Sequence, residues 1–175
     1  MKTSVLRLKT SLQDSIVSVL NEQIAMEAHS SASYLAMAAW CYSQGLNGCG
    51  HHFKKQSGEE REHMLKLFDY IADMGGMPVS PEVKNVESDF EDLRDVFVRA
   101  LEMEIAITQS FNVITEQCHK NKDYQTAKFL QWYLDEQAEE EQQARRCLEL
   151  YELIGTDNGG LFRIDKEIEK LSAEG

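Results

Sequence analysis

The sequence predicts an all-α fold, built as two helical hairpins joined by a long crossover and followed by a short fifth helix. Apolar residues recur with a 3.6-residue period along nearly the whole chain, and no long Val/Ile-rich alternating run marks a strand. The 175 residues include only 2 Pro and 10 Gly, few interruptions for a chain of this length. Such a length buries a substantial core without staples, and residues 1–175 read as a single domain.

The first periodic segment runs from about Ser11 to Cys41, with Ile16, Leu20, Ile24, Tyr34 and Ala38 on one face. SQGLNG, Ser43 to Gly48, leads into the second, Asn47 to Met74. The third covers Glu91 to Lys120 and the fourth Tyr124 to Ile154, separated by HKNKDY, His119 to Tyr124. Both connections are short enough for antiparallel hairpins. Between the pairs lies GGMPVSPEVKNVESDF, Gly75 to Phe90, which holds both prolines and suits a crossover along a bundle rather than a tight turn. After GTDNGG, the segment LFRIDKEIEKLSAEG supplies the fifth helix through Leu161, Ile164, Ile168 and Leu171.

Composition removes several function classes. A formal charge of -12, from 30 acidic and 18 basic residues, argues against a general nucleic-acid binder and permits attraction of cations. Cys41, Cys49, Cys118 and Cys147 form no C-x-x-C pair, so a zinc knuckle, a rubredoxin-type centre and a dithiol redox site are disfavoured. The start, MKTSVLRLKTSLQDS, is basic but has no apolar core of signal-peptide length, and no run is long enough to span a bilayer. The chain reads as cytoplasmic, with no membrane partner.

Four carboxylates sit on the wrong face. At about 100° per residue, Leu67 and Ile71 lie within roughly 20° of Glu60 on the helix surface, which centres Glu60 on an apolar stripe. Glu27 shares the stripe of Ile16, Leu20 and Ile24, and Glu104 that of Leu93, Phe97, Leu101 and Phe111. Glu140 shares a face with Phe129, Tyr133, Ala144, Cys147 and Tyr151, with Gln137 one turn before it. The heights agree as well. Glu27 and Glu60 are equidistant from the start of SQGLNG, and Glu104 and Glu140 from Lys122, so each pair is level across its hairpin.

Ionised carboxylates gathered in a low-dielectric core are unfavourable unless they protonate, pair with cations or bind metal. No Lys or Arg occupies the stripe centres, so metal is the preferred explanation. Glu from two helices plus Glu-x-x-His, here Glu60-x-x-His63, is the ligand pattern of carboxylate-bridged dimetal bundles. The spacing alone is weak, because about one acidic-x-x-His occurs by chance in such a chain. Glu116-x-x-His119 is a decoy of this kind, close to a turn and about 120° round the helix from Glu104.

The blocks LNEQIAMEAHSSASYLAMAAWC, GEEREHMLKLFDYIADMGGMP, ITQSFN, FLQWYLDEQAEEE and GLFRIDKEI together resemble the non-heme bacterial ferritins over almost the whole chain. The resemblance implies a ferritin-like four-helix bundle with a fifth helix, assembled as a homo-oligomeric shell of 24 subunits that oxidises and stores iron. It implies a diiron ferroxidase centre, with Glu27, Glu60 and His63 at one iron and Glu60 bridging. Glu104 and Glu140 then match the second iron, with Gln137 nearby, and Glu59, Glu136, Glu139 and Glu140 match a third iron site. Tyr34 and Trp132 match aromatics beside the centre that could donate electrons; core packing is an equal alternative for Trp132 and a weaker one for Tyr34. Fe(II) would be oxidised by dioxygen or hydrogen peroxide and kept as a ferric oxyhydroxide mineral.

Departures narrow the resemblance. Bacterioferritins carry a second Glu-x-x-His where this chain has Gln137-x-x-Glu140, and a heme-ligating methionine where Arg61 stands, so no heme is expected. Miniature DNA-protecting ferritins lack the fifth helix. A rubrerythrin-like dimetal peroxidase is the competing enzyme, disfavoured by the missing rubredoxin cysteines. An interaction bundle with protonated buried acids is the competing non-enzyme.

Overall fold

The computed structural model describes residues 10–174. Five helices follow in order: α1 (Asp14–Ser43), α2 (Asn47–Asp73), α3 (Leu93–Lys120), α4 (Tyr124–Ile154) and α5 (Gly160–Glu174). α1 packs on α2 and α3 on α4 as two hairpins, α1 meets α3 between them, and α5 lies against α2 and α4. No strand occurs among the described residues, and no helix there is long and apolar enough to cross a membrane.

Three of the helices stop in the same way. At the end of α1 the Leu46 amide donates to Cys41 O at 2.9 Å and that of Gly45 to Tyr42 O at 3.1 Å. Gly76 and Gly75 repeat the pattern onto Ile71 and Ala72, as do Asp123 and Lys122 onto Cys118 and His119. The residue after each cap is left-handed, at φ 77° for Gly45, 79° for Gly75 and 58° for Lys122.

Helix starts differ more. Asp92 caps α3 by accepting from the Asp95 amide at 2.8 Å, and Asp123 caps α4 by accepting from that of Thr126 at 3.0 Å. Leu46, before α2, offers no side-chain cap. Asp165 of α5 takes over, its Oδ1 accepting from the Cys49 amide at 2.8 Å. α5 approaches so closely that a Cβ on Gly48 would lie 2.2 Å from Asp165 O, which reserves that position for glycine.

The sequence set the start of α1 at Ser11 and that of α3 at Glu91. Both begin later because Leu12 tucks its apolar side chain under the bundle before the helix begins, and Asp92 takes the capping role. The crossover is irregular, clasped to α1 by Asn21. Its Nδ2 donates to Met77 O at 3.0 Å while its Oδ1 accepts from the Val79 amide at 2.8 Å.

Buried apolar side chains form two clusters rather than one. Tyr34, Cys41, Phe53, Phe97, Cys147 and Ile164 belong to the cluster beside α5. Ile16, Ile24, Leu67, Ile107, Phe111 and Tyr133 belong to the other. A belt of buried polar residues, contributed by α1 to α4, accompanies them.

Candidate metal centre

The four carboxylates that hydrophobic periodicity places on apolar stripes are buried: Glu27 and Glu104 at 0%, Glu60 at 2% and Glu140 at 7% exposure. His63 and Gln137 are buried with them. Each comes from a helix whose neighbouring turns are held in the core, so the polar groups are carried inward by apolar residues such as Ile24, Leu67, Ile107 and Tyr133.

Glu27, Glu60 and His63 each offer a ligand atom within 4.8 Å of the other two. A second set, His63, Glu136 and Glu140, meets the same criterion, so His63 is shared between them. The second set opens toward a cavity of about 490 Å³ whose lining includes Glu59, Glu62, Glu136, Glu139 and Lys66. Glu59 and Glu139 face this cavity without joining the tight set.

Uncharged donors surround the acids. Gln23 Nε2 donates to Glu27 Oε1 at 2.7 Å, and Gln137 Nε2 to Glu104 Oε2 at 3.0 Å. Gln56 Nε2 donates to Glu140 Oε2 at 2.9 Å, and the Tyr34 hydroxyl donates to Glu104 Oε1. The Tyr133 hydroxyl fixes the backbone of His63 by donating to its carbonyl at 2.9 Å. Trp132 stands edge-on to His63 with ring centroids 5.4 Å apart, and Lys66 Nζ lies 3.3 Å from the indole centroid.

Electrostatics follow from this crowding. Burial, then the Glu60 charge, holds Glu27 well above the usual carboxylate range, and the same two causes raise Glu104. Glu140 is pushed up to about 7 by burial, then by the charges of Glu60 and Glu59. Glu60 goes the other way. Burial would raise it, but His63 and Glu27 beside it bring it below its ordinary value. Burial would lower His63, and the Glu60 carboxylate reverses that. Burial and crowding thus favour the protonated carboxyl at Glu27 and Glu104, while the Glu60–His63 contact favours the charged form of both its members.

Among the described residues, the buried side-chain atoms lacking a hydrogen-bond partner are Glu27 Oε2, Ser30 Oγ, Glu60 Oε2, His63 Nδ1 and Gln137 Oε1. Glu60 Oε2 and His63 Nδ1 are 3.4 Å apart, yet neither makes a hydrogen bond. Buried polar atoms are rarely left so. Four of the five are oxygen or imidazole donors on residues proposed for iron, and a hard cation with some tolerance for nitrogen suits that set.

Other candidates fall elsewhere. Glu116 is exposed and pairs with Lys120 at 2.8 Å, which places Glu116-x-x-His119 on the surface at the hairpin end. The four cysteines are buried and free. Burial raises Cys41 and Cys147 to about 12, so they persist as thiols. Met64 and Phe68 of α2 are half-buried: they pack against the second apolar cluster and also line an apolar hollow along α1, α2 and the crossover. Gln23 and Gln56 were missed. Both lie one turn before a stripe-centred glutamate, a spacing visible in the sequence.

A family model described as a ferritin-like domain matches residues 17–154. A bacterial non-heme ferritin of Campylobacter jejuni is 38% identical over 161 residues, covering 92% of this chain and 96% of its own. A probable bacterial non-heme ferritin-like protein of Haemophilus influenzae is 36% identical over 163 residues, covering 93% and 99%. The crystal structure of an open pore ferritin from the archaeon Archaeoglobus fulgidus superposes with a TM-score of 0.88 at 34% identity, over 91% of this chain and 97% of that one. The chain belongs to the ferritin family, among the bacterial non-heme ferritins.

Proposed function

We propose that the protein stores iron: its buried belt binds Fe(II) in pairs and oxidises it with dioxygen or hydrogen peroxide, and the ferric product collects as a mineral inside a shell of 24 copies in the cytoplasm. Here iron is substrate and cargo. The observation that carries the reading is the convergence of Glu27, Glu60 and His63, from two helices, each with a buried polar atom that no hydrogen bond occupies. Membership of the non-heme ferritins supplies the metal.

In this reading Glu27 and His63 serve one iron, Glu104 and Glu140 the other, and Glu60 bridges them. Gln23 orients Glu27 through one oxygen and leaves the second free, whereas Gln137 and the Tyr34 hydroxyl each hold one oxygen of Glu104. Burial raises the proton affinity of Glu27, Glu104 and Glu140, so metal binding there competes with protons. Each Fe(II) gives up one electron to the oxidant, and Tyr34 and Trp132 are placed to supply more. Glu59, Glu136, Glu139 and Glu140 form a third site toward the cavity, through which ferric ions leave.

Aerobic Fe(II) oxidation tests the centre. Glu60→Ala removes the bridge and is expected to lower the initial rate by at least about tenfold. Equal initial rates for variant and wild type would remove the assigned centre. Particle size by electron microscopy, followed by iron content, tests the shell and storage.

A further inference from the structure

Gln56 is buried on α2, and its one amide nitrogen donates to two carboxylates, Glu59 Oε2 at 2.8 Å and Glu140 Oε2 at 2.9 Å. The two acceptors belong to different surroundings. Glu140 is buried, and its ligand atom lies within 4.8 Å of those of His63 and Glu136. Glu59 is 34% exposed and faces the acidic cavity. Lys55 reaches only the other oxygen of Glu59, at 3.5 Å. Among the described residues, the Gln56 amide is thus the donor that both carboxylates share.

Two carboxylates drawn together repel, and a donor between them offsets that repulsion. It also fixes which oxygen of each is tied and which faces a metal. An amide does this without a charge of its own, so it does not repel a passing cation as a lysine would. Ligands oriented by such outer partners hold metal more tightly, typically by ten- to a hundredfold.

We propose that Gln56 is a positioning residue for metal transfer, tying Glu140 of the buried pair to Glu59 of the cavity so that an ion leaving the pair meets an outer ligand couple already set. This rests on the reading of Glu140 and Glu59 as ligands. Gln56 is therefore a determinant of third-ion affinity rather than a packing residue.

Metal-stripped full-length protein titrated anaerobically with Co(II), followed by its visible absorption, provides the test. Wild type is expected to take up a third ion beyond the pair, and Gln56→Met to weaken that third ion about tenfold. In a Glu59→Gln background the same exchange is expected to change affinity by less than about twofold, because the couple is already broken. Gln56→Leu, run in parallel, is expected to give the same pattern without a thioether that could itself bind Co(II). An unchanged third-ion affinity, or an equal loss in both backgrounds, overturns the role of Gln56. If wild type still oxidises Fe(II) in that case, the ferroxidase reading stands. A wild-type protein that neither oxidises Fe(II) nor binds Co(II) overturns both.

Discussion

At the scale of single residues, Glu140 shows what burying a carboxyl among other acids does to a fold. Its carboxyl ionises near 7 in the folded chain, against 4.5 for an unburdened glutamate. Between those values the folded chain holds a proton that the unfolded chain has lost. The contribution of this group to stability therefore falls as pH rises through the window, reaching a deficit of about 3 kcal/mol above pH 7. Metal-free Glu140→Gln is expected to gain on wild type, in urea unfolding, as pH goes from 5 to 7.5. A gap between the two that stays constant over that range would contradict it.

The placement of Glu140 and its three companions was legible because a carboxylate on an apolar stripe breaks a strong pattern. Their partners were not. Gln23, Gln56 and Gln137 are neutral, common and tolerated anywhere on a helix, so only Gln137, which the resemblance matches to a glutamine near the metals, drew notice. Which carboxylate a glutamine serves depends on helix rotation and on residues as distant as Glu140 is from Gln56, and one-dimensional spacing does not carry that.

At the scale of helices, boundaries divide along the same line. The end of α4 at Ile154 and the start of α2 at Asn47 were readable from flanking glycines and the lost period. The late start of α3 depends on Asp92 acting as a cap, a matter of hydrogen bonding rather than hydrophobicity. Lys122 is the odd member of the three matching helix stops. It takes the left-handed position that Gly45 and Gly75 fill elsewhere, a conformation costing a β-carbon residue roughly 1–2 kcal/mol. Glycine there relieves that strain but gains freedom in the unfolded chain, so Lys122→Gly is expected to stabilise by about 0.5–1 kcal/mol. A lowered denaturation midpoint would show that the Lys122 side chain contributes more than its strain removes.

At the scale of the whole molecule, buried acids accompany two apolar clusters, and amide donors and a raised proton affinity offset their burial. Any divalent ion that binds only the folded form adds RT ln(1 + [L]/Kd), about 2.7 kcal/mol at a hundredfold excess over Kd. Zn(II), which cannot be oxidised, is expected to raise the thermal midpoint of wild type and to raise that of Glu60→Ala much less. Equal shifts would place the binding elsewhere on this acidic surface.

The cap of α2 bears on how such a chain is made. The helix that carries Glu59, Glu60 and His63 begins at residue 47, yet its first turn is completed by an aspartate 116 positions beyond Cys49. During synthesis the Cys49 amide lacks this partner until residue 165 has been made. The hairpin bearing Glu27, Glu60 and His63 thus gains this last contact only after the other hairpin has been translated.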